Sequence, residues 1–258
     1  MKSIFLLLDN SSSAQSRMEL AVSCAAAHNA ALTALFLPGS LRSGNGREAA
    51  DQWESRFSNA VAAAGVNSEW ISLVDTFSPW EHLLSLSHSA SLIVTAQTMG
   101  DCYDGSLPEE LTERLVLGSG RPVVTVPAAG QFTTCAKRVL VAWNDGRDST
   151  RALHDAMPLL LKAQKVHLIK LITDESSISG ADERLGRIIR HLEVSGIRAR
   201  GDVVISVDFP PGDMILNRTC EESSDLLVMG AFRGDRPALG KIARHVLEHM
   251  TLPVLMSH

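Results

Sequence analysis

Residues 225–258, DLLVMGAFRGDRPALGKIARHVLEHMTLPVLMSH, decide the fold that we predict for this protein. The apolar run at 226–229 predicts a buried strand, and a loop that carries glycine and arginine follows it at 230–237. An amphipathic helix is predicted at about 239–249, and a second apolar strand at 253–256. A strand, a glycine loop and a helix in this order present backbone N–H groups and a helix N-terminus to an anion, so a ligand site is expected here.

The chain that precedes this stretch alternates predicted strands and helices in the same way. From residue 137 onward, strands are predicted at 139–143, 166–172 and 203–206, and helices at 149–162, 182–194 and 214–220. Before it, strands are predicted at 2–8, 31–37, 69–74, 92–95 and 122–126, with helices ending near 28, at 47–64, at 79–88 and from 108. Short alternating elements predict parallel sheets with right-handed crossovers.

The two halves of the sequence repeat each other. Leu-Ile-Val at 92–94 corresponds to Leu-Leu-Val at 226–228, and Arg-Pro-Val-Val at 121–124 corresponds to Leu-Pro-Val-Leu at 252–255. Lys-Ser-Ile at the start corresponds to Lys-Arg-Val from residue 137, and the three offsets are 134, 131 and 135 residues. A nearly constant offset indicates duplication. We therefore predict two domains, 1–130 and 136–258, joined by a small, polar linker.

Composition restricts the classes of partner. With 45% apolar residues, a net charge of −5 and a pI near 6.0, the chain offers no basic face for nucleic acid. The apolar run near the start is five residues long and ends at Asp9, which is too short for a signal peptide or a membrane span. We expect a cytoplasmic protein that binds neither nucleic acid nor membrane.

Several strings resemble the universal stress protein family in its tandem bacterial form. VLVAWNDGRDSTRALHDAMPLLLKAQKV at 139–166 is similar to the opening of the family domain, and MGAFRG with ARHVLEHMTLPVLMSH is similar to its close. In the first half, LIVTAQ and PEELTERLVLGSGRPVVTVP resemble the usual first half of tandem members. The resemblance implies an open five-stranded parallel α/β sheet per half, Rossmann-like and similar to adenine nucleotide alpha hydrolases, with the halves related by pseudo-twofold symmetry.

The resemblance also implies a position for ATP or another adenine nucleotide. In nucleotide-binding members an acid after the first strand meets the ribose and base, and a Gly-x2-Gly-x9-Gly-Ser/Thr loop holds the phosphates. The first glycine corresponds to Gly230, the second position falls on Arg233, and the third corresponds to Gly240 after six intervening residues. Lys241 replaces the hydroxyl residue, and Asn144 stands where the acid is usual. The loop of the second domain is therefore shortened and altered.

Two further sets of residues complete the predicted site. Leu171, at the end of the second strand of the second half, is expected to contact the base. Lys241, Arg233 and Arg236 place three cations near Gly234, and charge-assisted contacts from them would hold an anion; a solvated loop is the alternative. In the first half, Asp9 keeps the acid, but no glycine motif follows the fourth strand.

Other chemical motifs in the sequence lack residues that their chemistry requires. His245-Val-Leu-Glu248-His249 matches a His-x-x-Glu-His zinc motif, but residues 250–258 contain no acid to complete it, so a helical surface is expected and no metal. The four cysteines fit no zinc spacing. We nominate no catalytic residue, because ATP hydrolysis requires a positioned base and Mg²⁺ ligands that the sequence does not identify.

Three hypotheses for function follow. The first is a stress-response regulatory module that binds an adenine nucleotide or another anion in the second domain. The second is a scaffold that binds no nucleotide and acts through protein contacts, and the third is a weak nucleotide hydrolase. Protein partners and a homodimer are both compatible with the sequence.

Overall fold

The computed structural model describes residues 1–37, 46–74, 79–100, 107–134, 136–172, 178–206, 209–231 and 238–258. The chain divides into two compact units, Met1–Cys135 and Ala136–His258. In the described part of the chain, no helix combines the length and apolar character needed to cross a membrane.

The first unit alternates five strands with four helices. In chain order they are β1 Ser3–Leu8, α1 Ala14–His28, β2 Ala31–Phe36, α2 Gly46–Ala64, β3 Ser68–Ser72, α3 Pro79–Ser87, β4 Leu92–Ala96, α4 Leu111–Gly118 and β5 Val123–Val126. Parallel pairings give the strand order β3-β2-β1-β4-β5. The strands β1 and β4 are almost wholly buried, as expected for parallel strands with helices on both faces.

The second unit has the same architecture. Its elements are β6 Arg138–Trp143, α5 Arg147–Leu160, β7 Lys165–Ile172, α6 Ala181–Val194, β8 Ala199–Ile205, α7 Pro211–Glu221, β9 Leu226–Gly230, α8 Lys241–His249 and β10 Val254–Ser257. Parallel pairings give the order β10-β9-β6-β7-β8. The α/β fold class with parallel, Rossmann-like sheets that the sequence predicts is thus confirmed.

Three predicted starts were wrong by three or four residues, namely those of β8, α4 and α7, the last of which begins at Pro211 rather than at 214. The strand β8 begins at Ala199, four residues before the predicted start, because its polar first half, 199–202, pairs with residues 166–169 of the long strand β7. The sequence 199–202, Ala-Arg-Gly-Asp, has no apolar pattern, so only the partner strand defines it. The helix α4 begins at Leu111, because Pro108 and the two residues after it form the turn that precedes the helix.

An ion cluster ties the amino-terminal ends of β7 and β8 to the end of α7. Glu222 accepts hydrogen bonds from Lys165, at 2.6 Å, and from Arg200. The bond from Lys165, together with that from Arg200, lowers the pKa of Glu222 to about 2 against the opposing effect of burial. The cluster lies at the opposite end of the strands from their carboxyl ends.

We expect Glu222→Gln to lower the free energy of unfolding by about 1–2 kcal/mol at neutral pH, since both cationic partners are partly exposed. A carboxylate with a depressed folded pKa stabilises above its unfolded pKa of about 4.3 and loses that contribution as the pH falls towards 2. Urea unfolding should therefore show a smaller difference between wild type and variant near pH 3 than near pH 7. Glu221→Gln, at the exposed neighbouring residue, is the control; an equal loss at both pH values would contradict the assignment.

Candidate functional site

A cavity of about 430 Å³ opens at the carboxyl ends of three strands in the second unit. Trp143 and Asn144 line it from the end of β6, Leu171 from β7, and Met229 and Gly230 from β9. In this sheet β6 lies between β7 and β9, and the chain changes direction of strand addition there. Open α/β sheets bind ligands at such a switch point, so the cavity lies where the topology favours a site.

Most of the wall of the cavity is apolar. Leu171 forms one part, and Ile215 on α7, Met229 and Ala231 form others. Side chains of this kind accommodate a flat, poorly solvated ring, and the cavity volume falls within the usual range for small ligands, about 300–1,000 Å³.

The N-terminus of α8 forms the polar end of the cavity. Gly240 caps the helix in an extended conformation, with φ −62° and ψ 152°, and as a glycine it offers no side chain to cap the first turn. Its own N–H donates to the carbonyl of Ala231 at 3.0 Å. Lys241, Ile242 and Ala243 line the cavity, and the N–H groups of a first helical turn have no partner within the helix. An anion is therefore favoured here by both the helix dipole and the Lys241 ammonium.

Gly230 has a packing role that the glycine motif does not predict. A Cβ on this residue would lie 2.7 Å from the backbone nitrogen of Ser149 and 2.8 Å from the carbonyl carbon of Asp148. Both atoms belong to the first turn of α5, which crosses the end of β9 at this point. Glycine is required for this close approach, whether or not a phosphate binds.

Asn144 and Asp145, the two residues that follow β6, have different surroundings. The Asn144 side chain lines the cavity, and its Oδ1 accepts the Gly146 N–H at 2.9 Å, which shapes the turn into α5. Asp145 has a left-handed backbone, φ 59°, and its carboxylate accepts bonds from Trp143, Lys170 and Arg184. Burial, together with the positive charge of Arg184, lowers the pKa of Lys170.

Asp9, the candidate in the first unit, lies at the end of β1 with its side chain fully buried. Its Oδ1 accepts a bond from Arg17 Nη2 at 2.8 Å and another from the Ser11 N–H at 3.0 Å. Burial raises the pKa of Asp9, but Arg17 and Ser11 outweigh it and hold the pKa below its usual value. The negative charge of Asp9, the acid after the first strand, is thus balanced by the buried guanidinium of Arg17.

The structure brings five of the predicted residues of the second half to one cavity, namely Asn144, Leu171, Gly230, Gly240 and Lys241. Arg233 and Gly234 lie outside the described residues, as does Arg236. Sequence reasoning missed Trp143, Ser149, Ile215 and Met229. Trp143 and Met229 could have been found, since each ends a predicted strand, but nothing in the sequence places Ile215 at the cavity.

Comparison with models of known protein families gives a match for the second unit. The model of the universal stress protein family matches residues 136–258, so the second unit is a domain of that family. No curated protein is a significant match to the chain.

Solved structures share the fold over the whole length. A universal stress protein from Archaeoglobus fulgidus DSM 4304 is 19% identical, with a TM-score of 0.76, over 99% of this chain and 97% of its own. A putative universal stress protein from Pseudomonas aeruginosa UCBPP-PA14 is 13% identical, with a TM-score of 0.62, over 100% and 93%. At such identities the likeness is one of fold, and it extends through both units.

Proposed function

We propose that this protein is a tandem universal stress protein, a regulatory module whose second unit binds an adenine nucleotide. The observation that carries the proposal is the cavity at the switch point of the second sheet, with an apolar wall at one end and a helix N-terminus at the other. We infer that the first unit is a diverged copy whose corresponding acid, Asp9, is neutralised by Arg17.

In this proposal the base packs against Leu171, Ile215 and Met229, and the phosphates lie at the start of α8. Lys241 supplies a positive charge, and the first-turn N–H groups supply hydrogen bonds to phosphate oxygens. Arg233 and Gly234, which lie outside the described residues, remain predicted phosphate contacts. No catalytic step is proposed, because no described residue at the cavity is identified as a base or as a set of Mg²⁺ ligands.

Isothermal titration calorimetry of the full chain with ATP, ADP, AMP and adenosine tests the proposal. We expect Lys241→Ala to weaken ATP binding about tenfold, which corresponds to about 1.4 kcal/mol, and to leave adenosine binding nearly unchanged. Arg198→Ala removes one positive charge from an exposed position of the same unit and is the matched control.

The apolar end is tested separately. Leu171→Glu should abolish detectable binding of adenosine and ATP alike, because it places a carboxylate against the base and in the same cavity as the phosphates. Leu161→Glu makes the same change at a leucine that is 56% exposed, and it should leave binding intact. If the wild-type chain binds none of the four ligands, the nucleotide proposal is wrong and the scaffold hypothesis is favoured.

A further inference from the structure

Three side chains of the types that can bind a metal ion meet on α8, beyond the turn that lines the cavity. One ring nitrogen of His245, one of His249 and one carboxylate oxygen of Glu248 all lie within 4.8 Å of one another. Their spacing of three and four residues places them on one face of the helix. We propose that this set, the α8 cluster, binds a divalent transition metal ion, with Zn²⁺ as the best match.

Asp213 orients the first ligand. Its Oδ1 lies 2.6 Å from Nε2 of His245, so the carboxylate accepts the Nε2–H and directs the Nδ1 lone pair away from α7. A carboxylate on the second nitrogen of a metal-binding histidine is the usual support in zinc sites, where it fixes the tautomer and raises the basicity of the ligand. Asp213 is therefore a positioning residue that acts through His245.

The second histidine is held in a complementary way. Nδ1 of His249 lies 2.9 Å from the carbonyl oxygen of His245, to which it donates, and this leaves Nε2 of His249 for the metal. The two rings are stacked with centroids 4.3 Å apart. Both imidazoles are thus fixed in orientation by partners other than the metal ion.

The ring of His245 packs against Gly212, where a side chain would occupy the same space. A Cβ at residue 212 would lie 3.0 Å from Cγ of His245 and would overlap Cδ2. The helix α7 therefore contacts the ring through a backbone without a side chain, while Asp213, one residue later, binds Nε2. Residues of α7 therefore help to fix the position of a ligand that belongs to α8.

The donor set selects the class of metal. Two imidazoles and a carboxylate suit Zn²⁺ and neighbouring transition ions, whereas Mg²⁺ and Ca²⁺ prefer oxygen ligands alone. The cluster lies in the last turns of α8, where the helix dipole favours a cation. The His-x-x-Glu-His string lacks a downstream acidic ligand in the sequence. In the proposed site Glu248 supplies the carboxylate ligand, and Asp213 on α7 supports His245 from outside the ligand set.

Titration of the metal-free, full-length protein with Zn²⁺ tests the proposal, with Co²⁺ absorption as the spectroscopic readout. The wild-type protein should bind one equivalent at the α8 cluster, and His245→Ala and His249→Ala should each lose it. The matched control is the double variant His154→Ala/His191→Ala, which removes two neighbouring imidazoles of α5 and α6 with centroids 5.2 Å apart. Circular dichroism and urea unfolding verify that each variant is folded. Because His249 is exposed, His249→Ala is expected to fold, and it tests the site even if His245→Ala does not fold.

Asp213→Ala should weaken Zn²⁺ binding about 10–100-fold, as loss of an outer-shell carboxylate does elsewhere, with little change in the Co²⁺ spectrum. Asp213→Asn, which keeps an acceptor for His245, should restore part of the affinity. Absence of Zn²⁺ binding by the wild-type chain would overturn the proposal. So would binding that persists in His249→Ala and disappears in the His154→Ala/His191→Ala control.

Discussion

Replacing Arg17 with methionine is expected to lower the free energy of unfolding by about 3–5 kcal/mol, the usual loss when one partner of a buried ion pair is removed. Both Arg17 and Asp9 have side chains that are 0% exposed. Arg17 also donates to the Leu7 carbonyl at 2.8 Å and to Ser13 Oγ at 3.2 Å. The variant would leave the Asp9 carboxylate buried without its counter-charge, and its Oδ2 already has no hydrogen-bond partner among the described residues.

The pH dependence of this effect has a defined sign. In the wild type the pKa of Asp9 is depressed, so its stabilisation is present above the unfolded pKa of about 3.9 and is lost as the pH falls below that value. Without Arg17, burial is expected to raise the pKa of Asp9, and proton uptake then relieves the cost of the buried charge. The loss of stability should therefore be smaller near pH 4 than near pH 7 in urea titrations.

The double variant Asp9→Asn/Arg17→Met is the control for this interpretation. Asparagine keeps an oxygen for the Ser11 N–H and removes the uncompensated charge, so the double variant should be more stable than Arg17→Met at neutral pH. If the double variant is less stable than Arg17→Met, the buried charge is not the source of the loss.

The element order could be predicted from the sequence because each buried strand has a continuous apolar run that ends at a polar residue or a glycine. Strands β1 and β9 are such runs, and their bounds differ from the predicted ones by a single residue. The first half of β8 could not be found, because its conformation depends on pairing with β7 rather than on its own residues. The local apolar pattern is sufficient to predict a strand that is buried on both faces, but it is insufficient for a strand at the edge of the sheet.

Some residues of the candidate site could likewise be predicted from the sequence, and others could not. Residues at strand ends, such as Asn144 and Leu171, could be assigned to one edge of the sheet because parallel strands share it. Ile215 and Asp213 reach their positions through the packing of α7, which no spacing in the sequence encodes. The pairing of Asp9 with Arg17 is of the same kind, since an arginine on a predicted helix is expected at the surface rather than in the core.

Gly230→Ala is expected to lower the free energy of unfolding by about 2–3 kcal/mol, as overpacking against fixed atoms does. The added methyl group would meet backbone atoms of Ser149 and Asp148, which cannot rotate away as the end of a side chain can. The backbone of Gly230 has no left-handed φ, so the cost arises from the contact with α5. The smaller entropy of the unfolded alanine variant offsets only about 0.4–1 kcal/mol.

Gly186→Ala is the matched control for this prediction. Gly186 lies inside α6, where an added Cβ makes an ordinary contact of 3.5 Å with the end of Arg190, so alanine should stabilise the helix by about 0.5–1 kcal/mol. Urea unfolding of the two variants should therefore give changes of opposite sign, and a stable Gly230→Ala would show that α5 can move away from β9. Because this packing lies behind the cavity, Gly230→Ala should also weaken nucleotide binding even if Gly230 never contacts a phosphate. Loss of binding on this substitution does not locate the phosphates, whereas the different responses of ATP and adenosine to Lys241→Ala do.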